Sequence, residues 1–108
     1  MWRAGEPDPL EIRKLAAARE RFDLTPLVIH DNYLINLAAE DPRIRAMSIE
    51  AFRNEVRRAL AIGAEYLVAH PGSYGGQGLE RGICALVESL REAVHGLKMK
   101  RLMLLIEN

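Results

Sequence analysis

Three apolar runs in this chain each lead into a side chain able to bind a metal, and they do so at nearly equal intervals. Leu27-Val28-Ile29 runs into His30, Tyr66-Leu67-Val68-Ala69 into His70, and Leu102-Met103-Leu104-Leu105-Ile106 into Glu107. His30 and His70 are 40 residues apart, His70 and Glu107 37. Short apolar runs bounded by turn residues read as buried strands. Pro71 and Gly72 stop the second run at once, because proline donates no backbone hydrogen bond and glycine allows a sharp bend. Each interval holds one strand, one loop and one helix.

The helices have their own punctuation. Asp8-Pro9 opens the first, predicted over roughly 8 to 22, with Asp8 as cap, Pro9 at the first helical position and Glu11 at capping-box spacing. Leu10, Ile12, Leu15, Ala16, Ala18 and Phe22 give it one apolar side. Asp41-Pro42 repeats that start for a long helix reaching about Ile62, with Ile44, Ile49, Phe52, Val56, Ala59 and Leu60 near helical spacing and Gly63 placed to end it with positive φ. Arg53, Arg57 and Arg58 beside Glu50 and Glu55 read as a solvated, ion-paired face. The third helix covers Leu79 to Val94, with Leu79, Ile83, Leu86, Leu90 and Val94 on one face. Cys84 reads as a structural thiol in it, and His95 as a residue capping its last turn.

Helix and strand alternating in this way argue an α/β protein with a parallel sheet and right-handed crossovers. Nearly continuous apolar strands are what burial on both faces requires. In such folds ligands collect at the carboxyl ends of the strands, where His30, His70 and Glu107 stand. Three strands close nothing, whereas a (β/α)8 barrel needs eight and about 250 residues. A doubly wound sheet usually has more strands too, so the expectation is one domain over residues 1–108 that is a piece of a larger parallel α/β fold, cut at both ends.

Composition narrows the function classes. Lys plus Arg and Asp plus Glu are 15 each, so bulk charge gives no support for nucleic-acid or membrane binding. One cysteine excludes an internal disulfide and fits a reducing, cytoplasmic setting. No run approaches the ~20 apolar residues of a membrane helix. Ser73-Tyr74-Gly75-Gly76-Gln77-Gly78 is a flexible connector and not a dinucleotide fingerprint, since Arg81 stands where the third glycine belongs. Its backbone N–H groups near Leu79 offer a weaker reading as a phosphate site. Imidazole nitrogen and carboxylate oxygen are zinc donors, and a carboxylate such as Glu107 can bridge two cations where a histidine binds one.

These residues also carry a resemblance. His30-Asp31-Asn32-Tyr33-Leu34-Ile35-Asn36-Leu37, the helix from Ser48 with Ala51-Phe52, His70-Pro71-Gly72-Ser73 and Ile106-Glu107-Asn108 together resemble the endonuclease IV family, zinc-dependent apurinic/apyrimidinic endonucleases of the xylose isomerase-like barrel superfamily. The likeness runs through essentially the whole chain in order. It implies that the chain is a partial (β/α)8 TIM barrel of about three parallel strands with three helices, incomplete at both termini, from an eight-stranded barrel holding up to three zinc ions, with His30 and His70 as ligands and Glu107 as the metal-bridging, catalytic carboxylate. It implies that Tyr33 and Leu34 enter DNA at the lesion. The reaction implied is hydrolysis of the phosphodiester 5′ to an abasic site.

The family pattern continues beyond Ile106-Glu107-Asn108 with further Asp, His and Glu ligands, and Tyr74 stands where many members have another histidine. The expectation is thus a fragment of such an enzyme, inactive alone and prone to self-association through open sheet edges. The alternative is a fragment of a metal-dependent sugar isomerase or epimerase from the same superfamily, which also places metal ligands at strand ends.

Overall fold

The structure, a computed structural model, describes residues 6–32 and 34–107. Its elements run α1 (Pro9–Phe22), β1 (Val28–His30), α2 (Pro42–Ala61), β2 (Tyr66–Ala69), α3 (Leu79–Val94) and β3 (Met103–Ile106). The three strands form one parallel sheet in the order β1-β2-β3. Successive strands are spatial neighbours with no reversal, as in a barrel wall; a doubly wound sheet reverses its strand order.

The register decides which side chains share a face. Ile29 pairs with Leu67 and Leu67 with Leu104; His30 pairs with Val68 and Val68 with Leu105. Side chains alternate along a strand, so Ile29, Leu67, Ala69 and Leu104 point one way and Val28, His30, Val68 and Leu105 the other. The first face is the core. Leu67 and Ala69 are fully buried there with Phe52, Val56 and Ala59 of α2 and Ala93 of α3. Both helices therefore cover the same side. The second face carries Val28, Met103 and Leu105, all exposed, and corresponds to the lining of a barrel interior.

Local chemistry explains the helix limits. The Asp8 and Asp41 carboxylates accept the N–H groups of Leu10 and Arg43 at 2.9 and 2.8 Å, each just ahead of a proline at the first helical position. Glu11 does not close a capping box; it lies 3.8 Å from Lys14, one turn on. At the end of α2 the Gly63 N–H donates to Leu60 and the Ala64 N–H to Ala59, a Schellman turn made possible by φ +73° at Gly63.

Several expectations need correction. No residue of α1 is buried, and Leu10 and Phe22 are among its exposed apolar side chains. Ile44 is exposed, while Ser48 is fully buried in its helix because its Oγ accepts the Asn36 N–H at 2.9 Å. Cys84 is exposed and so packs no core. Leu79 and Ile83 are exposed too: α3 buries its small residues Gly82, Ala85, Ser89 and Ala93, which let it lie close to its neighbours. Arg53 is not simply solvated, since its Nη1 donates to the carbonyls of Ala93 and His95 and ties α2 to the end of α3. The segment after β1 is part of the core, with Ile35 and Leu37 buried. Among the described residues no helix is long and apolar enough to cross a membrane.

Candidate metal centre

The strand register carries His30, His70 and Glu107 to one face. His30 pairs with Val68, and His70 lies two residues further along, hence on the same side. Val68 pairs with Leu105, and Glu107 lies two beyond that. All three stand on the inward face at the carboxyl rim, and one ligand atom from each lies within 4.8 Å of the others. His30 Nε2 is 2.5 Å from Glu107 Oε2, and His70 Nε2 is 3.9 Å from the same oxygen. The two imidazole rings have centroids 4.7 Å apart, tilted by 58°.

The second nitrogen of His30 is already committed. Its Nδ1 donates to the Asp31 carbonyl at 3.0 Å, and a carbonyl can only accept, so Nδ1 carries a proton. That leaves Nε2 facing the centre. An outer-sphere carbonyl fixing the tautomer of a histidine is the usual support of a metal-binding imidazole.

Electrostatics match this arrangement. The Asp31 carbonyl, and after it the Glu107 carboxylate, raise the His30 pKa above its ordinary value. The hydrogen bond from His30 lowers that of Glu107. A proton shared by the two thus occupies the position toward which both donors point. Asp31 is different: only 5% exposed, its carboxyl pKa is raised chiefly by loss of hydration. One of its oxygens accepts the His70 N–H at 3.3 Å, and the other has no partner among the described residues.

The donor set fits zinc. Zinc takes nitrogen and oxygen donors at about 2.0–2.2 Å, which places neighbouring donors of one ion about 3.4 Å apart. The pair at 2.5 Å would have to open and the pair at 3.9 Å to close, each by less than the reach of one side-chain rotation. Half-exposed side chains at His30, His70 and Glu107 leave room for that adjustment.

The rim is stitched from behind by the two loops that follow β1 and β2. Asn36 Oδ1 accepts the Ser73 N–H at 3.0 Å, and Glu40 Oε2 accepts the Gly76 N–H at 3.3 Å. Gln77 donates to the Ala38 carbonyl at 2.7 Å. Gly72 is required at this junction, for a Cβ there would lie 2.1 Å from Asn36 Oδ1. With the Ser73 and Gly76 N–H groups engaged, the 73–78 segment is an anchored connector.

Leu34 sits exposed on the first of these loops, its N–H held by Asn32 Oδ1 at 2.9 Å. Tyr33, predicted as its partner, lies outside the described residues, as does Asn108. Asp31 and Asn36 were not singled out by sequence reasoning. An acid directly after a strand-ending histidine was a signal available for the first; nothing local marks the second.

Known proteins give this geometry a context. A probable endonuclease 4 from Solibacter usitatus is 62% identical over 108 residues, which is all of this chain and 37% of that protein. A probable endonuclease 4 from Halothermothrix orenii is 36% identical over 99% of this chain and 38% of its own length. The crystal structure of endonuclease IV from Thermus thermophilus superimposes with a TM-score of 0.79 at 35% identity, covering 100% of this chain and 38% of that one. The chain thus spans somewhat over a third of the length of these relatives. A family model described as the xylose isomerase-like TIM barrel matches residues 2–108, and the chain belongs to that family.

Proposed function

We propose that His30, His70 and Glu107 are ligands of a multi-zinc centre in an apurinic/apyrimidinic endonuclease that hydrolyses DNA on the 5′ side of an abasic site. The observation that carries this reading is the convergence of the three donors within 4.8 Å on the inward face of the strand ends. The names of the relatives favour a nuclease over a sugar isomerase. Residues 1–108 then form one part of an eight-stranded barrel of the cytoplasm, whose other strands supply the remaining ligands.

Each residue has a distinct task in this scheme. His30 and His70 would each hold zinc through one ring nitrogen, and Glu107 through its carboxylate. Zinc held there would supply an acidic water and polarise a phosphate. Asp31, through its carbonyl, keeps Nε2 of His30 directed inward. Tyr33 and Leu34 enter the space left by the missing base, where an abasic nucleotide is easily extruded because nothing pairs with it. Among the described residues β1 and β3 are the edge strands of the sheet, so for the 108-residue chain alone we expect self-association and no efficient turnover.

Two measurements test this. Zinc titration of the 108-residue chain should show binding that Glu107→Gln weakens about a hundredfold. A protein carrying this sequence within a complete barrel should nick a labelled abasic duplex 5′ to the lesion in the presence of zinc. Absence of zinc binding, cleavage only 3′ to the lesion, or turnover of a ketose without nicking would overturn the proposal.

A further inference from the structure

We propose that Asp31 is the positioning residue of the rim: its side chain takes over a backbone hydrogen bond of the sheet and thereby frees its own carbonyl to hold His30. The inference rests on the reading of His30 and His70 as metal ligands and adds the device that aligns them. The β1–β2 ladder sets the rhythm from which this residue departs. In a parallel pair, alternate residues of one strand bond the partner strand at even steps. Here the Tyr66 N–H donates to the Leu27 carbonyl at 3.3 Å, and the Asp31 N–H to the Val68 carbonyl at 2.8 Å. Continued by the same two-residue period, the ladder next assigns the His70 N–H to the Asp31 carbonyl.

That rung is replaced. The His70 N–H goes to Asp31 Oδ1 at 3.3 Å, while the Asp31 carbonyl accepts from His30 Nδ1 at 3.0 Å. One residue thus makes three fixed contacts: its N–H to Val68, its carbonyl to the ring of the first histidine, its carboxylate to the backbone of the second. The Asp31 side chain is wholly buried, so its carboxylate is held in a fixed position. A residue without a side-chain acceptor at this position would leave the His70 N–H to compete for the Asp31 carbonyl. His30 would then lose the acceptor that directs its Nε2 toward Glu107. Asparagine retains a carbonyl oxygen of nearly the same reach and would preserve the arrangement.

The test compares wild type, Asp31→Asn and Asp31→Ala in the 108-residue chain. The ring nitrogens of His30 are followed by NMR in metal-free protein, at a pH where the ring is neutral. Affinity for zinc, and the absorption spectrum with cobalt as probe, are measured alongside, with thermal melting as the control for folding. Asp31→Ala should mix the two His30 tautomers, lower zinc affinity by about tenfold or more and alter the cobalt spectrum, whereas Asp31→Asn should stay near wild type in all three. If Asp31→Ala melts cooperatively and keeps both the wild-type tautomer and the wild-type affinity, the proposal is overturned. If Asp31→Asn is as impaired as Asp31→Ala, the acceptor role is overturned. Failure of the wild type to bind zinc would remove the metal centre itself, and the tautomer measurement would still decide the role of Asp31.

Discussion

The two ends of this sheet each carry an acid–base contact, and the contacts differ in kind. At the amino end, Arg19 reaches from α1 with every arm engaged. Its Nε donates to the Leu24 carbonyl at 3.0 Å, Nη1 to the Gly63 carbonyl at 2.9 Å, and Nη2 to the Glu65 carboxylate. The two side chains are 15% and 29% exposed. At the carboxyl end, His30 and Glu107 are each 48% exposed and point at a common centre with His70. A cluster whose donors are matched to fixed carbonyls is a rivet; one whose donors face each other across open space is a site. A space of about 440 Å³ lies beside Arg19, whose guanidinium is already committed.

The sharpest way to break the comparison is to exchange the readouts. Glu107→Gln should lower zinc affinity about a hundredfold, because the proposed carboxylate donor loses its charge. The melting temperature of the metal-free protein should move little, since the residue is half exposed. Arg19→Ala should do the reverse. Leaving Glu65 and two carbonyls without their donor costs about 2 kcal/mol, a fall of roughly 10 °C in melting temperature, with zinc affinity of the folded protein unchanged. Equal effects of both substitutions on stability and on zinc would show that the two ends are not separable.

The carboxyl rim was legible in the sequence because parallel strands make it so. An apolar run ended by a turn fixes where a strand stops, and a period of one βα unit fixes that the stops are neighbours. The cap-plus-proline starts at Asp8 and Asp41 were legible for the same reason, since the chemistry is local. The amino end was not. Arg19 and Glu65 are far apart in sequence, and nothing in the surroundings of either marks the other. The same holds for Asn36 against Gly72 and for Ser48 beneath Asn36. The face of α3 was legible in part: Leu86, Leu90 and Val94 pack against the core, but the pattern selects large apolar residues, whereas close approach of packed elements favours small ones. Leu79 and Ile83 accordingly remain on the surface.

A smaller effect is expected from the turn that backs the rim. Gly72 and Gly96 both have positive φ, +86° and +75°. A Cβ at Gly72 meets Asn36 Oδ1, whereas at Gly96 it meets nothing within 4 Å. Gly96→Ala should therefore cost only the left-handed backbone strain, about 1 kcal/mol. Gly72→Ala should cost about 1.5 kcal/mol or more, because it also displaces the Asn36 amide from the Ser73 N–H. Denaturant melts of the two variants give the difference. Zinc affinity should fall only in Gly72→Ala, since that turn directly follows His70. Identical losses in both variants would mean that the Asn36 clasp contributes nothing.

The smallest expected effect is on pH, and its sign separates a site from a rivet. In metal-free protein His30 titrates above its ordinary 6.5, so the stabilisation it gains from Asp31 and Glu107 is fully present below 6.5 and fades as pH rises through the raised value. Glu107 titrates below its ordinary 4.5, so its share is present above 4.5 and is lost as pH falls through the lowered value. The contact therefore stabilises most between 4.5 and 6.5, with shoulders on both sides. Both groups are solvent-facing, so the gain is slight and screened by salt. Zinc competes for the same nitrogen and oxygen, and its affinity should climb with pH through a midpoint above 6.5, where the contact itself is weakening. Melting temperature against pH, wild type minus Glu107→Gln, should give a shallow maximum in the acid range, while zinc affinity rises toward neutrality. Opposite slopes on one pair of residues are what a proton standing in for a cation produces. If the two curves rise together, the His30–Glu107 contact is a structural tie of the same kind as Arg19–Glu65.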